Sequence, residues 1–195
     1  QNDDLLLIKK LLAQLGKTPF YKKEKPTPYD EAVSLIWYLE NVFYESISKI
    51  YNYIQNNIYD GNPMDNEIID LGFWPGGDRD GNPFVTTKIT LDVAERLRQS
   101  ILRSYYRDVR RLKRRFTFDG VQEVLSKIEK RLYKHVVRSY SKVNFSQDIF
   151  LDELAKARKI IAEKHQSLFI EELDDFINKV RIFGFHFATL DIRQD

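Results

Sequence analysis

A chain of 195 residues with 43% hydrophobic and 31% charged residues has the make-up of a folded globular protein, not a disordered or fibrous one. Its 31 basic and 29 acidic residues leave a net charge of +2, which gives no overall pull toward nucleic acid or an anionic membrane. No cysteine is present, which excludes disulfides, thiolate metal sites and a cysteine nucleophile and fits a cytoplasmic setting.

The N-terminus, Gln-Asn-Asp-Asp, has no basic and apolar leader, and no apolar run approaches membrane-spanning length. A first residue other than Met points to a piece of a longer chain. Leu5, Ile8, Leu11, Leu12 and Leu15 form a helical stripe that stops at Gly16. A connector rich in lysine and proline follows, from Lys17 to Pro28. Thr27 is a capping residue, Pro28 suits a first helical position, and Asp30 and Glu31 complement the positive helix end. The helix they start carries Ala32, Leu35, Ile36, Leu39, Val42, Phe43, Ile47, Ile50 and Ile54 on one expected apolar face, out to about Asn57.

Between Asp60 and Thr87 the pattern breaks: five of the eight glycines and three of the six prolines fall here. Ile68, Ile69, Leu71 and Phe73 suggest a short strand leading into this loop. A second long helix is expected from Thr87 or Thr90, with Ile89, Val93, Leu97, Ile101, Tyr105, Val109, Leu112 and Phe116 facing inward. Its other faces are rich in arginine. A third helix follows Asp119-Gly120 to about Tyr140, and Ser146 caps a fourth through Leu151, Leu154 and Ile161. A fifth covers Ser167 to Val180 and ends before Gly184.

The last stretch, Phe185 to Arg193, reads as a strand. Alternation places Phe185, Phe187, Thr189, Asp191 and Arg193 on one side and His186, Ala188, Leu190 and Ile192 on the other. The fold expected is mainly α, with one or two short strands and no internal domain boundary. Two strands do not make a stable sheet alone, so partner strands are expected outside these residues.

The segment with most chemistry is Gly76-Gly77-Asp78-Arg79-Asp80-Gly81-Asn82-Pro83. Asp78 and Asp80 flank Arg79, whose guanidinium is either held by those carboxylates or offered to an anion. A calcium loop starting at Asp78 would need Gly at its sixth position and Glu at its twelfth, where Pro83 and Ile89 stand. A phosphate loop ending Gly-Lys-Ser/Thr is absent.

Trp74 with this octet and Val85-Thr86 resembles the GSWxGGDRDGNPxVT signature of phosphoenolpyruvate carboxylases, with Phe73 in place of Ser and Pro75 where Met is common. Lys25-Pro26-Thr27-Pro28-Tyr29-Asp30-Glu31-Ala32 is similar to the family's KPTPxDEA, and Phe183-Gly184 with Leu190 to Gln194 to its FGxxxxxLDIRQ. The resemblance runs from about residue 5 to the end.

It implies an internal segment of a lyase that forms oxaloacetate and phosphate from phosphoenolpyruvate and bicarbonate. The parent would use Mg²⁺ or Mn²⁺, be a homo-oligomer (a tetramer) and contain an incomplete TIM-like α/β barrel to which this segment adds strands. Arg193 would bind the substrate phosphate, with Asp191 on the same strand side to orient it. Arg79 would join Arg193 as a catalytic, substrate-binding group. Trp74 would line the cavity, and Asp78, Asp80, Gly81 and Asn82 would support the loop.

The family's TAHPT histidine segment and its later GRGG loop are not in these residues. His135, His165 and His186 read as structural or exposed, no metal ligands are identified, and the segment alone is expected to be inactive. The implied partners are the two substrates and the rest of the parent chain, without nucleic acid or membrane. The alternative is a helical nucleic-acid or partner-binding module. It would use the nine basic residues between Arg96 and Arg115, with Tyr105 and Tyr106 among them. A further alternative is a stand-alone regulatory or scaffolding protein derived from the enzyme.

Overall fold

The structure, a computed structural model, describes residues 2–19, 25–62, 68–137 and 145–193. The middle of the lysine- and proline-rich connector, the end of the third expected helix beyond residue 137, and Gln194 lie outside the described residues. Helix α1 spans Asn2–Lys17, α2 Pro28–Tyr38 and α3 Tyr44–Ile58, with a π turn over Leu39–Phe43 joining the last two. Strand β1 is Gly72–Phe73. Then come α4 (Thr87–Arg115), α5 (Val121–Val137), α6 (Gln147–Lys164), α7 (Ile170–Phe183) and strand β2 (Thr189–Leu190).

The helix starts follow their caps. Thr27 accepts from the Asp30 N–H while the Asp30 carboxylate accepts from the Thr27 N–H, a reciprocal capping box. Thr86 and Ser146 cap α4 and α6 without the reciprocal bond, each hydroxyl accepting from the N–H three residues on. Gly184 closes α7 by donating its N–H to the Val180 carbonyl.

Helix α4 is the axis of the fold and packs against α2, the π turn, α5 and α7. Its buried side, from Val93 through Tyr105 to Leu112, matches the periodicity of the sequence. The stripe on α2–α3 does not. Tyr44 and Tyr51 are buried, whereas Val42, Phe43 and Ile50 are exposed. The π turn inserts one residue into the helical repeat, so the inward face moves from 43 and 50 to 44 and 51. The apolar side chains of α1, from Leu5 to Leu15, are all exposed.

One aromatic cluster sets the position of the C-terminal segment. Tyr44 stacks on Phe183 at 5.5 Å and meets Phe187 edge-on at 6.1 Å, while Tyr105 and Phe150 pack on Phe176 and Phe185. Burying each such ring contributes roughly 1.5–3 kcal/mol. The Tyr105 hydroxyl donates to the Gly184 carbonyl at 2.7 Å, fixing the turn that leads into β2. Burial pushes the Tyr105 and Tyr44 phenols well above their ordinary range, with Asp108 adding to both shifts.

Beside this cluster Lys179 is fully buried. Its ammonium lies 3.0 Å from Glu45, 3.3 Å from Asp175 and 3.6 Å from Asp108, and 4.8 Å from the centre of the Tyr44 ring. The cation thereby links α3, α4 and α7.

The expected strand over Phe185 to Arg193 contracts to two residues. Residues 184–188 form turns, Phe187 has φ of +68°, and Phe187 and Ala188 are both buried, so strict alternation fails there. β1 and β2 pair in parallel, Gly72 with Thr189 and Phe73 with Leu190, as one two-stranded sheet.

Candidate active site

The two motifs meet along this short parallel ladder. The Thr189 N–H donates to the Leu71 carbonyl (2.7 Å) and the Asp191 N–H to that of Phe73 (2.9 Å). Past the strands, the Arg193 N–H donates to Gly77 (3.3 Å) and the Arg79 N–H returns a bond to the Arg193 carbonyl (3.1 Å). Asp78 and Arg193 thus form an isolated parallel bridge. This approach requires a glycine: a Cβ on Gly77 would lie 2.1 Å from the Asp191 carbonyl oxygen.

The rest of the loop is held by its own polar groups. The Asp78 carboxylate accepts from the Asp80 N–H (3.1 Å) and the Asn82 side-chain oxygen from the Phe84 N–H (3.2 Å). The Thr90 hydroxyl, buried in the first turn of α4, donates to the Gly76 carbonyl at 2.7 Å. Arg79 donates through Nη2 to the Thr87 hydroxyl (3.2 Å), while its Nε is buried without a partner. Thr87 and Thr90 therefore hold the loop and its arginine. Their sequence signal was only the threonine-rich start of a helix.

The Arg193 guanidinium is 70% exposed and meets Asp78 at 3.9 Å, a loose ion pair. Strict alternation would select Asp191 as its neighbour. Asp191 instead packs over Gly72, where a Cβ would come within 3.0 Å of its Oδ2. A loosely held, exposed fork can still take a bidentate oxyanion.

Trp74, 57% exposed, borders a cavity of about 150 Å³ with Asp78, Asp80 and Asn82. Pro28 and Glu31 close the other side, so the helix start at α2 abuts the glycine-rich loop. Gly81 and Asp80 are exposed at the loop's tip.

None of the three histidines joins this site. His135 is buried on α5 and stacks on Phe145, and burial, aided by Arg98, holds its pKa below the ordinary value. His165 stacks on Phe118 with Nε2 3.0 Å from the Asp119 carbonyl, and His186 is exposed. Among the described residues no three histidine or carboxylate side chains converge where a divalent cation would sit. The described residues therefore offer no Mg²⁺ or Mn²⁺ centre of their own.

Residues 2–144 and 125–195 match the family model for phosphoenolpyruvate carboxylase. The chain belongs to the phosphoenolpyruvate carboxylase family. Among its relatives are the phosphoenolpyruvate carboxylases of Shewanella halifaxensis, 26% identical over 97% of this chain, and of Shewanella loihica, 28% identical over the same share. That of Vibrio vulnificus is 26% identical over 96%. In each case the match covers 25% of the relative, so the chain spans about a quarter of the length of these carboxylases. No helix among the described residues is long and apolar enough to cross a membrane.

Proposed function

We propose that this chain is an internal segment of a carboxylase that forms oxaloacetate and phosphate from phosphoenolpyruvate and bicarbonate, and that it supplies part of the phosphate site. The observation that carries the reading is the backbone bridge that sets Arg193 beside the Asp78-Arg79-Asp80 loop.

The chemistry needs a fixed cation at the phosphoryl group, because charge on its oxygens must be met as the phosphoryl passes to bicarbonate. Arg193 fits that role. Its backbone is pinned at N–H and carbonyl, its guanidinium is open, and Asp78 orients it from 3.9 Å without occupying the fork. Arg79 is the more constrained arginine. Its bond to Thr87 turns the side chain toward the start of α4, so it shapes the loop and adds positive charge to the site. Trp74 walls the adjoining cavity and would exclude water from intermediates that water destroys. Asp80, Gly81 and Asn82 shape the turn that carries Arg79.

A divalent cation, when bound in the whole enzyme, would supply charge at the enolate. Its ligands would come from outside this chain, together with the general base and the remaining barrel strands. The segment alone is therefore inactive, and the intact carboxylase is a cytoplasmic homotetramer. The test is a coupled assay in which oxaloacetate oxidises NADH through malate dehydrogenase. The 195-residue chain yields no signal with phosphoenolpyruvate, bicarbonate and Mg²⁺, whereas a full-length carboxylase containing it does. Turnover by the chain alone would overturn the reading of it as a partial site.

A further inference from the structure

Nine arginines and lysines lie on α4 between Arg96 and Arg115. Five are matched by carboxylates: Arg98 by Glu95, Arg110 and Lys113 by Glu129, Arg111 by Asp108, and Arg115 by Glu172. Arg96, Arg103, Arg107 and Arg114 form no ion pair among the described residues. These four are not scattered. Their steps of 7, 4 and 7 residues keep them within about 20° of one line on the helix, over roughly 27 Å.

The stripe lies between two neighbours of α4. On one side the Ser100 hydroxyl bonds Glu40 of the π turn, and Trp37, one turn earlier, is exposed. On the other, Gln99 donates to the His135 carbonyl of α5 (3.4 Å), and Tyr106 and Tyr133 pair at 6.0 Å. Arg103, Arg107 and Arg114 are exposed; Arg96 is half-buried, its Nε shut from solvent without a partner. Arginines without an ion pair among the described residues, beside the Tyr106–Tyr133 pair and with no lysine among them, have the composition of a protein interface. A guanidinium also binds a carboxylate through two parallel hydrogen bonds.

A nucleic-acid strand fits less well. Five of the nine cations are already neutralised by carboxylates, which breaks the continuous basic track that a phosphate backbone follows. We propose that the Arg96–Arg103–Arg107–Arg114 stripe is the docking surface for an α-helix bearing Glu or Asp at the same 7-4-7 spacing. The stripe is straight and helical in period, so a helix lying along it meets all four arginines. This inference does not depend on the carboxylase reading, and its test uses no turnover.

The test is fluorescence anisotropy of the 195-residue chain at about 50 mM salt, where surface charge is least screened. The probe is a labelled Ala/Gln helical peptide with four Glu at the 7-4-7 spacing. The controls are the same composition with the Glu spread round the helix, and a labelled single-stranded DNA. The striped peptide binds, and Arg103→Glu with Arg107→Glu weakens it about tenfold or more. A peptide with Glu at the outer two positions and Lys at the middle two binds that double variant more tightly than it binds the wild type. Should the double variant lose its helical circular dichroism, Arg107→Ala with Arg114→Ala takes its place and also weakens binding. Equal binding of the spread peptide, undiminished binding by the variants, or tighter binding of the DNA would overturn the proposal.

Discussion

Replacing Gly77 by Ala tests the junction of the two motifs. The added methyl would sit 2.1 Å from the Asp191 carbonyl oxygen and 3.0 Å from its carbon. Those are backbone atoms, and they cannot rotate away as a side chain would, so the strands must separate. Overpacking typically costs about 1–3 kcal/mol, and a clash against backbone belongs at the top of that range. At roughly 2–4 °C per kcal/mol for a chain of this size, the melting temperature falls by about 6–12 °C if the ladder unfolds with the core. If the C-terminal segment detaches by itself, the fall is smaller and the loss appears in hydrogen exchange. The Asp191 and Arg193 amides, which donate to Phe73 and Gly77, then exchange faster while the α4 amides stay protected. Gly81→Ala is the control. Its φ of +64° costs a side chain about 1 kcal/mol, but nothing lies within 4 Å to clash. A Gly77→Ala protein with unchanged melting temperature and unchanged protection at both amides would refute the reasoning.

Other consequences follow from the core. Lys179→Met leaves Glu45, Asp108 and Asp175 without their shared cation, and urea unfolding should show a loss of about 3–5 kcal/mol. Tyr44→Phe deprives the buried Asp108 carboxylate of a 2.9 Å donor and should cost about 1–3 kcal/mol by the same assay. His135 has a folded pKa below its unfolded value, so the unfolded chain binds the proton more readily. Its contribution is full above the unfolded value of about 6.5 and is lost as pH falls from there toward the folded pKa. Wild type should therefore lose stability relative to His135→Phe on acidification below about pH 6.5, with the difference constant above it.

Much of this fold is written locally. Thr27, Pro28 and Asp30 mark the start of α2 because capping is a matter of three neighbouring residues, and the spacing of α4 gives its buried face directly. The π turn is different. Nothing between Leu39 and Phe43 announces an extra residue per turn, and the burial of Tyr44 follows from Asp108 and the aromatic cluster, far away in sequence. β2 is shorter than its alternation suggests because the core takes both Phe187 and Ala188. The Lys179 cluster joins residues up to 134 positions apart, which no periodicity reveals. Within the site, Arg79 and Arg193 are legible as candidates from their motifs. That Asp78 faces Arg193, and that Thr87 holds Arg79, depends on the ladder that Gly77 permits.

In the function proposed above, Arg193 holds the phosphate of phosphoenolpyruvate. Steady-state kinetics of a full-length carboxylase containing this segment, compared with its Arg193→Ala variant, test it most directly. Loss of a charge-stabilising donor predicts a fall in kcat/KM for phosphoenolpyruvate of roughly a hundredfold or more, with the melting temperature intact because the side chain is exposed. Wild-type kinetics in that variant would remove Arg193 from the phosphate site.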